Sequence, residues 1–225
     1  YYVGRDLQPG DRRYLFREFR RVQTEGGSDP AAAAVQAMLT LPPLDPDYFS
    51  PWPAGASVTG LSRIGDTAVI TFSDEVARHR TDANTARIAA QQMVYTVTAA
   101  DRSVHSVRMV IDGQQTTTLF GHQVGAQPLT RAPEVDVVAP VWIIDPYHGA
   151  QVGRSFAVYG TANVFEATVS IEVRDSAGDV VLETFTTATS GTGTRGTFDT
   201  DLRLPGSSGP LTITVGVFGA AAEAP

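Results

Sequence analysis

Residues 155–185 read SFAVYGTANVFEATVSIEVRDSAGDVVLETF, and their spacing decides the fold class of the C-terminal half. Val169, Ile171 and Val173 alternate with Ser170, Glu172 and Arg174. That is the period of two expected of a strand with one buried face. The run DSAGD over 175–179 supplies turn residues, and 180–185 alternate again on the return. A loop carrying Asn163, Phe165 and Glu166 leads into this pair. Two alternating runs joined by a short turn form the repeating unit of an antiparallel sandwich. They specify an architecture and no reaction.

Outward from this pair, further strands are expected over 141–144, 155–161, 167–174, 180–187, 197–204 and 211–218. The segments DPYHGAQVG, TSGTGTRG and PGSSGP connect them. Short strands at regular intervals with such turns predict an all-β, immunoglobulin-like sandwich. Upstream, 121–140 has three prolines and no clear period. The expected division is an N-terminal domain over 1–121, a linker over 122–136 and the sandwich over 137–225.

The N-terminal half alternates differently. Residues 1–3 read as a strand. The run RRYLFREFRRV over 12–22 fits either period, and its aromatic content favours a strand. Asp29-Pro30 is a helix start: the carboxylate caps free amides, and proline suits the first turn. A helix follows over 31–39, and Pro42-Pro43 stops it. Prolines at 42, 43, 46, 51 and 53 then make an irregular loop holding Tyr48, Phe49 and Trp52. Strands over 57–64 and 67–72 flank Gly65-Asp66, an order that predicts a type II′ hairpin turn. Asp82 caps a second helix over 83–99, with Ala86, Ala90, Met93 and Val97 along one side. A strand over 104–111 closes the region. The order predicts an α+β layer with two helices on one face of a small sheet.

Composition narrows the function. The chain has 225 residues, is 42% hydrophobic, and contains no Cys. Disulfides, thiol catalysis and thiolate metal sites are therefore excluded. All 17 basic residues are Arg, and the net charge is −7. Residues 1–125 hold 12 Arg against 13 acids (−1), and 126–225 hold 5 Arg against 11 acids (−6). So acidic a chain is repelled by phosphate backbones and anionic lipid surfaces, which argues against nucleic acid as a partner. The local exception, Arg12, Arg13, Arg17, Arg20 and Arg21, reads as a solvated face. No apolar run approaches the roughly 20 residues that span a bilayer.

Catalytic signals are few. No two of His79, His105, His122 and His148 stand at zinc-ligand spacing, and no cofactor motif occurs. Asp74-Glu75 reads as a polar strand end. SGTGTRG lacks the Lys-Ser/Thr ending of a phosphate loop and precedes a strand. Asn163 and Glu166 read first as loop-holding groups, with Glu166 accepting backbone amides and Phe165 anchored in the core. Together with Tyr48, Phe49, Trp52, Trp142 and Tyr147 they are also the candidate interaction surface, for a protein or for sugar rings.

Two resemblances add to this reading. The LPPLD loop after the first helix, the hairpin ending in ITFSDE, and AAQQMVYTVTA followed by VHSVRMVIDG resemble the GerMN domain of sporulation and spore germination over about 1–120. IDPYHGAQVGRSFAVYGTANVFEATVSIEVRDSAGDVV, continued by GTFDTDLRL, resembles the immunoglobulin-like Gmad2 domain. GerMN domains are themselves likened to the ring-building motif of secretion-system subunits. The resemblances imply a non-catalytic envelope protein outside the cytoplasm, bound through a lipid-bearing Cys upstream of Tyr1. Its partner would be another envelope protein or a second copy, with cell-wall peptidoglycan as the alternative ligand. The sequence departs from the Gmad2 pattern in ending on FGAAAEAP, where a final strand is expected. An unpaired sheet edge, open to a partner strand, is one consequence.

Overall fold

The computed structural model describes residues 1–6, 12–22, 29–206 and 209–216. The chain divides into two compact units, Tyr1–Val138 and Ala139–Pro225.

The first unit opens with a small antiparallel sheet of β1 (Tyr2–Gly4), β2 (Leu15–Phe16) and β3 (Tyr48–Phe49), in the order β2-β1-β3. Helix α1 (Pro30–Thr40) lies between β2 and β3 in the chain. Asp29 Oδ1 accepts from the amides of Ala31 and Ala32, as the Asp-Pro start requires. The hairpin β4 (Val58–Ile64) and β5 (Thr67–Phe72) turns at Gly65, where φ is +61°. Short α2 (Asp74–Arg78) and long α3 (Ala83–Ala100) follow, then β6 (Ser106–Ile111) and β7 (Gln114–Gln115). Strand β6 runs parallel to β5, so α3 is the crossover that parallel neighbours need. The sheet order is β4-β5-β6-β7. Ala31, Val35 and Met38 of α1 and Ala86, Ala90, Met93 and Val97 of α3 share one core with Ile70 and Met109. This is the expected α+β layer with two helices on the sheet. Arg63 of β4 ties both helices down, pairing with Asp29 at 2.8 Å and with Asp101 at 2.7 Å.

Residues 122–136, expected to form a linker, instead belong to the first unit. Strands β8 (Thr118–Leu119) and β9 (His122–Gln123) pair. Leu129 and Val107 exchange two backbone bonds of 2.8 Å. Tyr95 of α3 donates to the Ala132 carbonyl at 2.7 Å, and the Ala132 amide donates to Gln91 at 2.8 Å. The prolines bend this segment without detaching it, because its polar backbone finds partners on α3 and β6. A single turn of helix, α4 (Glu134–Val137), ends the unit.

The second unit holds β10 (Val141–Asp145), β11 (Ser155–Ala162), β12 (Thr168–Arg174), β13 (Val180–Thr187), β14 (Gly196–Arg203) and β15 (Thr212–Gly216). They form two antiparallel sheets, β10-β11-β14 and β13-β12-β15. Val158, Ala162, Val169, Ile171, Val173, Phe198 and Leu202 face one another across the core. The chain from residue 217, with the expected end of the last strand and FGAAAEAP, lies outside the described residues, as do 23–28 within the Gly-rich loop.

Candidate interaction surface

The Pro-rich loop does not hold its rings out to solvent. Tyr48 and Phe49 form β3 against β1, with Gly4 opposite Tyr48 and Val3 opposite Phe49. The Tyr48 ring stacks on Phe16 at 4.5 Å, and burial pushes its hydroxyl pKa upward. Phe49 lies beneath the guanidinium groups of Arg13, at 5.2 Å, and Arg5, at 5.7 Å. Trp52 is 6% exposed and is a core residue. It stacks on Phe72 at 5.1 Å, and its indole N–H donates to Gln92 Oε1 at 3.1 Å. A sugar cannot reach that ring, so Trp52 leaves the candidate surface.

Residues 12–22 are neither a regular strand nor simply a solvated face. Only Leu15–Phe16 is strand. Arg20 covers Tyr2 at 5.1 Å and pairs with Glu18 at 2.7 Å. Glu18 in turn accepts from the amides of Leu44 and Asp45. Cation–π packing and one well-placed carboxylate hold the segment, which is why no single period describes it.

In the second unit, Trp142 is 5% exposed with the Arg195 guanidinium 4.4 Å over its ring. Tyr147, in the loop after β10, is 63% exposed. Asn163 Oδ1 accepts the Gly193 amide at 2.9 Å and so fastens the β11–β12 crossover to the β13–β14 loop. The Thr192 amide donates to the Val164 carbonyl at 2.9 Å, and the Glu166 amide donates to Thr192 Oγ1 at 3.3 Å. Phe165 and Glu166 depart from expectation. Val164, not Phe165, fills the core, and Phe165 is 70% exposed. Glu166 is an exposed residue at φ +53°, followed by Ala167 at +56°. Two successive left-handed residues reverse the backbone, so the phase slips by one and the carboxylate swings outward. The crossover is thus a braced, strained loop displaying a phenylalanine.

Phe185 on β13 is 71% exposed, and like Phe165 it stands further out than Tyr147. It shares the face of Glu183, away from the core, whereas Val181, of the same parity but at the bulge, packs against the core. His105, His122 and the Asp74-Glu75 pair that the sequence singles out have local partners. His105 stands 3.7 Å from Asp66 with both exposed, His122 Nε2 is 2.7 Å from the Thr81 carbonyl, and Asp74 pairs with Arg78. No group of three His, Asp or Glu that could hold a metal occurs among those residues. No helix among them is long and apolar enough to cross a membrane.

Comparison with known families now identifies the chain. The model described as "sporulation and spore germination" matches residues 1–117, more than half the sequence. The chain belongs to that family. The "immunoglobulin-like domain of bacterial spore germination", Gmad2, matches residues 140–223, over the sandwich. None of the curated proteins matches. Solved structures similar to the chain include the first GerMN domain of the Bacillus subtilis sporulation protein GerM, at 19% identity and TM-score 0.35, covering 48% of this chain and 77% of that one. The tandem GerMN domains of the same protein match at 16% identity and TM-score 0.40, covering 78% and 53%. A candidate lipoprotein of Clostridium perfringens matches at 20% identity and TM-score 0.37, covering 40% and 60%. The chain thus spans about three fifths of that protein's length. At these scores the family models, rather than the solved structures, identify this germination-family chain.

Proposed function

We propose that this is a non-catalytic, extracytoplasmic protein of the cell envelope that binds or assembles with another envelope protein during sporulation or germination. One observation carries the binding role. The immunoglobulin-like unit displays Phe165 and Phe185 at about 70% exposure, one of them on a braced loop. Aromatic side chains are among the groups that protein interfaces favour over the rest of the surface. The family match to spore-germination domains supports the setting, and an upstream lipid anchor would keep the chain at the membrane surface.

A photoreactive amino acid placed at position 165 tests the reading in intact cells. The expected result is a discrete cross-linked envelope protein, in cells whose surface-added protease also digests this chain. Absence of any protein adduct, or protection of the chain inside a sealed cytoplasm, refutes it. Retention on purified peptidoglycan that depends on Tyr147, with no protein adduct, would favour carbohydrate binding instead.

A further inference from the structure

Strand β13 ends its sheet. Among the described residues its backbone pairs with β12 and makes no bond on its other side. An edge of this kind presents unpaired N–H and C=O groups, and proteins usually blunt it with Pro, Lys, an inward charge or a central bulge. Here the eight residues read VVLETFTT. There is no Pro and one charge, and the bulge sits at the end, where Val173 faces Leu182 but Arg174 faces Val180.

That one charge is poorly placed for an isolated sheet. Glu183 stands directly opposite Glu172, on the face turned away from Ile171 and Val173. Like charges in register repel. Glu172 is compensated by Arg174 Nε at 2.6 Å, and Arg174 Nη1 is engaged by the Gly178 carbonyl. Glu183 is exposed and has no ion pair among the described residues. Two positions on, on the same face, the Phe185 ring stands over a position opposite only Ser170.

We infer that β13 accepts an extended segment of another protein as an added strand, with a basic side chain beside Glu183 and an apolar one beside Phe185. Backbone pairing satisfies the open edge. The cation relieves the Glu172–Glu183 repulsion, and the apolar side chain covers the exposed ring. A second copy of this chain fits less well, because its own β13, VVLETFTT, carries no basic side chain to meet Glu183. Residues 139–225 also hold 4 Arg against 9 acids, a net −5 that opposes self-association. The inference rests on the protein-binding reading and names the chemistry of the partner.

A library of displayed random decapeptides, panned on the intact chain, tests it. The expected consensus has Lys or Arg two residues from an apolar side chain. Binding of a consensus peptide should weaken at least tenfold for Glu183→Arg and for Phe185→Ser, with melting temperatures unchanged. Amide exchange over 180–187 should slow when the peptide binds. No enrichment, a consensus without a basic residue, undiminished binding by Glu183→Arg, or unchanged exchange overturns the inference. So does a concentration-dependent dimer that Phe185→Ser abolishes, since the occupant would then be a second copy. In cells, an adduct at position 165 that persists unchanged with Glu183→Arg sinks the strand-addition idea and spares the envelope-binding one. Failure to form any adduct sinks the latter.

Discussion

Gly160 shows how a single missing side chain sets the sandwich. It lies mid-sheet on β11, with Ile143 and Phe198 in register on either side. A Cβ there would sit 2.3 Å from the Phe198 ring and 2.4 Å from the Trp142 carbonyl. The ring could shift, but the carbonyl belongs to the neighbouring strand. Gly160→Ala should therefore destabilise the protein by about 1–3 kcal/mol, the usual cost of overpacking. A thermal melt that leaves the midpoint unchanged would show that the ring fills no tight space. Phe165 makes the opposite point at the same scale. One residue of backbone phase separates it from buried Val164, and that residue decides between core and display.

Among the elements, α3 is the most explicit in the sequence. Its small and apolar residues recur at helical spacing, and Asp82 stands where the first amides need an acceptor. The carboxylate accepts from the Thr85 hydroxyl at 2.6 Å and the Thr85 amide at 2.9 Å. These bonds, the hydroxyl first, hold its pKa below the ordinary aspartate value. The unfolded carboxyl therefore binds a proton more readily than the folded one. Its stabilisation is complete above the ordinary value, about 4, and is lost as pH falls through the lower folded value. Asp82→Ala should cost about 1 kcal/mol near neutrality, and the gap from wild type should close towards pH 2. Urea melts at both pH values measure this, and a gap that stays constant would contradict the cap. Residues 12–22 are the contrast. Their order comes from arginines over aromatic rings and from Glu18, which are contacts across the chain and leave no local pattern.

At the scale of the whole molecule, the two units bury cores with no residue in common. Calorimetry should resolve two transitions. Ile171→Ala, which empties part of the sandwich core, should lower one of them by an amount equivalent to about 2–5 kcal/mol and leave the other in place. A single transition that moves as a whole would mean that the units melt together. The sequence alone determined the two long helices α1 and α3, their Asp caps, the hairpin turn and the alternating strands, because each depends on neighbours a few residues away; the short α2, where Asp74-Glu75 reads as a strand end, it did not. It also showed the family through segments whose order and spacing are local. Only the tertiary structure decided that Trp52 points inward and Phe165 outward, that β5 and β6 run parallel, and that residues 122–136 stay with the first unit. It also left β13 with an open edge and an uncompensated carboxylate. Those outcomes depend on which groups meet through space, where packing volume, backbone hydrogen bonds and charge are settled between residues far apart in the chain.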